Sequence, residues 1–110
     1  MFLESIDPRG WQVTCSEVHF TYLLSKHEES AEFFQVEHIK AAIEKPSHGC
    51  IFASAQIPNR HIYYMKLRGW KAELKVVVEF NVNSQTGKIV TFHMSSNRPN
   101  GEIMIWPPLE

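Results

Sequence analysis

The sequence predicts an α+β domain: two N-terminal helices packed on an antiparallel sheet of four strands, five where the last apolar segment joins. Three observations carry this. Apolar residues recur at helical spacing before residue 46 and at spacing two after residue 50. The strand-like segments are joined by short turns, which suit antiparallel neighbours and not parallel ones. The 110 residues are enough to bury one core. A single domain over 1–110 then divides into a lead-in (1–14), a helical part (15–46) and the sheet (50–106).

Taken in order, Trp11–Cys15 alternates apolar and polar residues, as a short edge strand or an extended lead-in would. Thr14-x-x-Glu17 resembles a capping box that opens a first helix over 16–28, although Phe20-Thr21-Tyr22 also suits a strand. Phe33, Val36, Ile39 and Ile43 share one face of a second helix, with Glu37, Lys40 and Glu44 opposite. That helix should stop at Lys45, because Pro46 disfavours the α conformation of its predecessor and Gly49 follows. Strands are expected over Cys50–Ala55, Arg60–Leu67, Glu73–Asn81, Lys88–Ser95 and Ile103–Trp106. Gly87 is expected to supply the left-handed residue of the hairpin between the third and fourth of these.

Composition narrows the class. Hydrophobic residues at 44% and charged residues at 21% exclude a disordered tail. No apolar run approaches the ~18 residues of a membrane helix. The start, Met1–Pro8, lacks the basic and apolar stretches of a secretion signal. The expectation is a cytoplasmic chain with no membrane contact. Cys15 and Cys50 fit no metal or redox spacing, and His48-Gly49-Cys50 is at most half a zinc site, so neither metal nor cofactor is expected. Charge is uneven: residues 1–45 hold four basic against eight acidic side chains, and residues 46–110 seven against four. A basic C-terminal half suits a phosphate-bearing partner.

Alternation sorts the sheet. Leu74, Val76, Val78 and Phe80 share a face with Val90, Phe92 and Met94, and with His61, Tyr63, Met65 and Leu67. The opposite face then carries Arg60, Ile62, Tyr64, Lys66, Lys75, Glu79, Ile89, Thr91 and His93. A solvated face rich in Lys, Glu and Thr is the default for such sheets, and by that reading Lys75 and Glu79 are surface charge. The same set also suits RNA cleavage without metal, in which a base takes the 2′-hydroxyl proton and cations stabilise the charge gained at phosphorus. His93 is the candidate acid or base, since only histidine titrates near neutrality unperturbed. Arg60, Lys66 and Lys75 would hold phosphate, Tyr64 would stack on a base or act as an acid, and Arg68 and Lys71 would add contacts from the next turn. His61 is expected at the core rim, and Trp11, Trp70 and Trp106 as core or rim anchors.

The order of these pieces resembles the barnase–EndoU–colicin–RelE superfamily of small nucleases, in particular its short phage- and plasmid-borne members. The carrying segments are Ser25-Lys26-His27-Glu28-Glu29, His38-Ile39-Lys40 with Ile43-x-x-Pro46, Arg60-His61-Ile62-Tyr63-Tyr64, Val76-Val77-Val78, and Gly87 through His93. The resemblance covers most of 15–95 and implies a toxin-type ribonuclease, with RNA, ribosome-associated in some members, and an antitoxin protein as partners. It would place function on His27 or His38, on Arg60, Tyr64 and Lys66, and on Thr91 and His93. Ser95–Asn100 departs from the expected ending, which leaves acid and base unassigned. The alternative is a non-catalytic module that presents the same face, or an edge strand, to a protein or nucleic acid.

Overall fold

A computed structural model of the protein describes residues 3–26, 34–47, 49–96 and 101–108. In chain order the elements are β1 (Leu3–Ile6), β2 (Gln12–Cys15), α1 (Glu17–Lys26), α2 (Val36–Glu44), β3 (Ile51–Ser54), β4 (Arg60–Met65), β5 (Glu73–Asn81), β6 (Thr86–Ser95) and β7 (Glu102–Trp106). All seven strands form one sheet, ordered β1-β2-β6-β5-β4-β3-β7. The expected antiparallel sheet of four or five strands is therefore too small and too uniform. The sheet is mixed, because β2 runs parallel to β6 through Gln12↔Thr86, Val13↔Gly87 and Thr14↔Lys88. A parallel pair needs a long crossover, and the chain between β2 and β6, with both helices and β3–β5, provides it.

The extra strands come from the expected lead-in. β1 and β2 are antiparallel, from Leu3↔Cys15 to Ile6↔Gln12. Their turn is built by Asp7-Pro8-Arg9-Gly10. Asp7 Oδ1 accepts the amides of Arg9 (2.8 Å) and Trp11 (3.1 Å), and Gly10 takes a φ of +88° that other residues rarely adopt. Leu3 and Ser5 face inward while Glu4 and Ile6 face out, so the hairpin extends the core sideways.

Local chemistry sets the helix ends. Ser16, not Thr14, caps α1: its Oγ accepts the His19 amide at 3.1 Å, while Thr14 lies in β2. After α2 the Lys45 amide still reaches Ala41 O, and the buried Pro46 and Gly49 (φ +65°) turn the chain toward β3. Ile39, Ala42 and Ile43 of α2 and Phe20 and Leu23 of α1 pack with Leu3, Val13, Tyr63, Leu74, Val76, Val78, Phe80 and Phe92 in one core on one face of the sheet.

The hairpin β5–β6 carries two departures from simple alternation. Val77 pairs with Thr91 but Val78 with Ile89, so a bulge at Val90 switches the inward row. Ile89, expected on the polar face, is thereby buried in the core, and Val90 is only half-buried. Gly87 is not the left-handed residue; that is Gln85, with φ 56°. Gly87 lies in β6 against Phe80, where an added Cβ would come within 2.7 Å of the ring and of Val78. Glycine is needed there for space.

Candidate functional site

Tyr63 and Tyr64 are adjacent in β4, so their side chains leave on opposite faces of the sheet. Tyr63 joins the core cluster under the helices. Tyr64 pairs with Lys75 on β5, and Lys75 with His93 on β6, which sets these three side chains in one line across the face turned away from the helices. Glu102, the first residue of β7, completes the group. Its Oε1 accepts the Tyr64 hydroxyl at 2.5 Å and its Oε2 accepts Lys75 Nζ at 2.8 Å.

This face is not simply solvated. Tyr64 is 1% exposed, and the Lys75 and Glu102 side chains are 11% and 7% exposed. The reading of Lys75 as surface charge is therefore overturned. Burial also closes the Tyr64 ring to base stacking: Phe52 stands edge-on to it at 5.8 Å. Its hydroxyl is the part left for chemistry. Burying an ion pair costs desolvation that the pair itself barely recovers, so such a group is weak evidence of a stabilising role. His93 is half-buried beside it.

The remaining expected residues spread out. Arg60 pairs with Glu79 across β4–β5, four residue pairs below Tyr64–Lys75, or ~13 Å along the strand. Its Nε meets Glu79 Oε1 at 3.4 Å with both side chains exposed by a third or more, a contact too weak to fix either. Arg60 and His93 therefore do not address the same phosphate. Thr91 lies between, opposite Val77 and half-buried. Lys66, past the end of β4, is exposed, with its amide bonded to Ser47 Oγ at 2.6 Å. Arg68 and Lys71 are exposed in the β4–β5 turn. His38 is on α2, edge-on to Trp70 at 5.3 Å and separated from His93 by the sheet. His27 and His48 lie outside the described residues. Beyond Glu79 a broad groove continues past Lys88, Thr86 and Thr14 to Ser16 and His19 at the start of α1.

A second polar group lies on the core side, at the β1–β2 turn, and the sequence reading missed it. Asp7 Oδ2 accepts Tyr63 Oη (2.7 Å), Arg9 Nη2 (2.7 Å) and Arg9 Nε (3.0 Å). Arg9 Nη1 meets His61 Nδ1 at 3.0 Å, and its guanidinium lies 3.9 Å from the Trp11 ring centre. Arginine can only donate, so Nδ1 is the acceptor and the imidazole proton sits on Nε2. Burial, seconded by Arg9, lowers the His61 pKa to about 4, against the opposing pull of Asp7 and a hydrogen bond to the Pro58 backbone. Burial, then Asp7, pushes the Tyr63 hydroxyl well above the ordinary tyrosine value. Asp7-Pro8-x-Gly10 is the sequence signal that could have located its turn, though not its partners on β4.

Among the described residues, no three His, Cys, Asp or Glu side chains come together as metal ligands would. Cys15 and Cys50 are both free thiols, and burial raises the Cys15 pKa to about 11, leaving it inert near neutrality. Among the described residues no helix is long and apolar enough to cross a membrane. Comparison with protein-family models, characterised proteins and solved structures finds no match.

Proposed function

We propose that the chain is an endoribonuclease that works without metal, at the line Tyr64–Lys75–His93 on the face away from the helices. One observation carries the reading: a hydroxyl, an ammonium, a carboxylate and a histidine converge there from four strands, three of them buried. His93 takes the proton of a 2′-hydroxyl, whose oxygen attacks phosphorus as the bond to the 5′-oxygen breaks. Lys75, with Lys66 one step further along, faces the charge gained on the phosphoryl oxygens. Tyr64 is the group placed to return a proton to the leaving oxygen. Arg60 and Lys88 would then hold a neighbouring phosphate and the groove a longer strand. The resemblance to toxin-type nucleases extends the proposal to an antitoxin partner.

A second reading has its own observation. Both Lys75 and Arg60 are already paired with carboxylates, which leaves the face near neutral and suits a binding module that performs no reaction. Turnover separates the two. Labelled mixed-sequence RNA is incubated with the wild type, His93→Ala and Glu102→Ala in excess EDTA. Cleavage that survives EDTA and falls ~10²-fold or more in His93→Ala supports the nuclease. Saturable RNA binding with no cleavage by either folded wild type or folded Glu102→Ala leaves the module.

A further inference from the structure

Glu102 holds the Tyr64 hydroxyl with one carboxylate oxygen and the Lys75 ammonium with the other. Two donors from adjacent strands thus converge on two oxygens of one anion. We infer that Tyr64 and Lys75 form a phosphate site which the Glu102 carboxylate occupies in the resting chain, making β7 an internal competitor for RNA; this rests on the reading that RNA is received on this face.

The chemistry of exchange is favourable. A phosphodiester carries the same single charge and offers two oxygens, so replacing the carboxylate never leaves buried Lys75 without a counter-ion. The competitor also sits at an edge of the sheet. β7 is an edge strand of five residues that pairs, among the described strands, with β3, and its register slips between Ile51 and Phe52. Its Ile103 and Met104 are 57% and 36% exposed, while Ile105 and Trp106 pack against the core, so the Glu102 end can move with the far end still anchored. A phosphate seated between Tyr64 and Lys75 would have His93 next in line on β6. The vacated site and the proposed base therefore serve one phosphorus. Were Glu102 only a tie between β7 and the sheet, its removal would let the unpaired Lys75 draw small anions but would add no affinity for RNA.

Inorganic phosphate is titrated into the folded wild type, Glu102→Ala, Glu102→Gln and the double variant Glu102→Ala/Lys75→Met, with amide NMR shifts as readout. Glu102→Ala should bind phosphate roughly tenfold or more tightly than the wild type, and the gain should vanish in the double variant. Glu102→Gln, which keeps the shape and loses the charge, should gain less and serves if Glu102→Ala does not fold. Unchanged affinity in Glu102→Gln and Glu102→Ala, or a gain that survives loss of Lys75, overturns the site. A short labelled RNA is then titrated. A parallel gain for RNA without cleavage upholds the competitor and removes the nuclease reading. A gain for free phosphate with none for RNA overturns the competition.

Discussion

Tyr63 and Tyr64 stand side by side in β4, and each donates its hydroxyl to a carboxylate that also holds a cation, Asp7 with Arg9 and Glu102 with Lys75. The two groups differ in how they are held. The Asp7 group is built on one tight turn that reaches across to Tyr63 and His61 of β4, and its carboxylate takes two backbone amides and three side-chain donors. Trp11 covers the guanidinium, and His61 is kept neutral beside it. The Glu102 group is assembled from β4, β5 and β7, and among the described residues each carboxylate oxygen has one side-chain donor. A saturated network fixes a fold, while a sparsely bonded ion pair beside a histidine can exchange partners. The core-side group therefore anchors the β1–β2 hairpin, and the open-face group is the one we propose for the chemistry.

The largest effect expected from breaking this comparison is on stability. Asp7→Asn leaves the Arg9 guanidinium buried without its counter-ion and should cost ~3–5 kcal/mol in urea unfolding. A loss under ~1 kcal/mol would show that the turn is not the anchor.

Acid acts on the same side. His61 binds its proton near pH 4 when folded and at the ordinary histidine value of 6.5 when unfolded, so between these values the unfolded chain holds more protons. Stability is then complete above pH ~6.5 and falls as the pH drops toward 4, by at most about 3 kcal/mol from this group. Unfolding curves between pH 7 and pH 4 for the wild type and His61→Gln measure it, and the variant should lose most of the slope. Arg60→Ala should do least, changing stability by under ~1 kcal/mol because its pair with Glu79 is exposed and long. Its effect should appear as weaker RNA binding with a lower salt dependence, not as slower cleavage of bound RNA.

Legibility in the sequence followed locality. The hairpin β5–β6 shows in the alternation of Leu74, Val76, Val78 and Phe80, and α2 in the spacing of Val36, Ile39 and Ile43. The parallel pairing of β2 with β6 joins residues more than 70 apart and leaves no trace in any period. The bulge at Val90 defeats a strict count of two, which is why Ile89 was assigned to the wrong face. Of the open-face group, Tyr64, Lys75 and His93 were legible from register alone. Glu102 was not: it is a lone acid before the apolar run of β7, and its partners depend on β7 lying beside β3.

The most direct test is the pair of variants Tyr63→Phe and Tyr64→Phe, each assayed for RNA cleavage per folded molecule. Each removes one hydroxyl from a buried carboxylate, so similar losses of ~1–3 kcal/mol in stability are expected. Cleavage should be unchanged in Tyr63→Phe and reduced ~10²-fold in Tyr64→Phe. Equal cleavage by the two variants would contradict the assignment of chemistry to the open face.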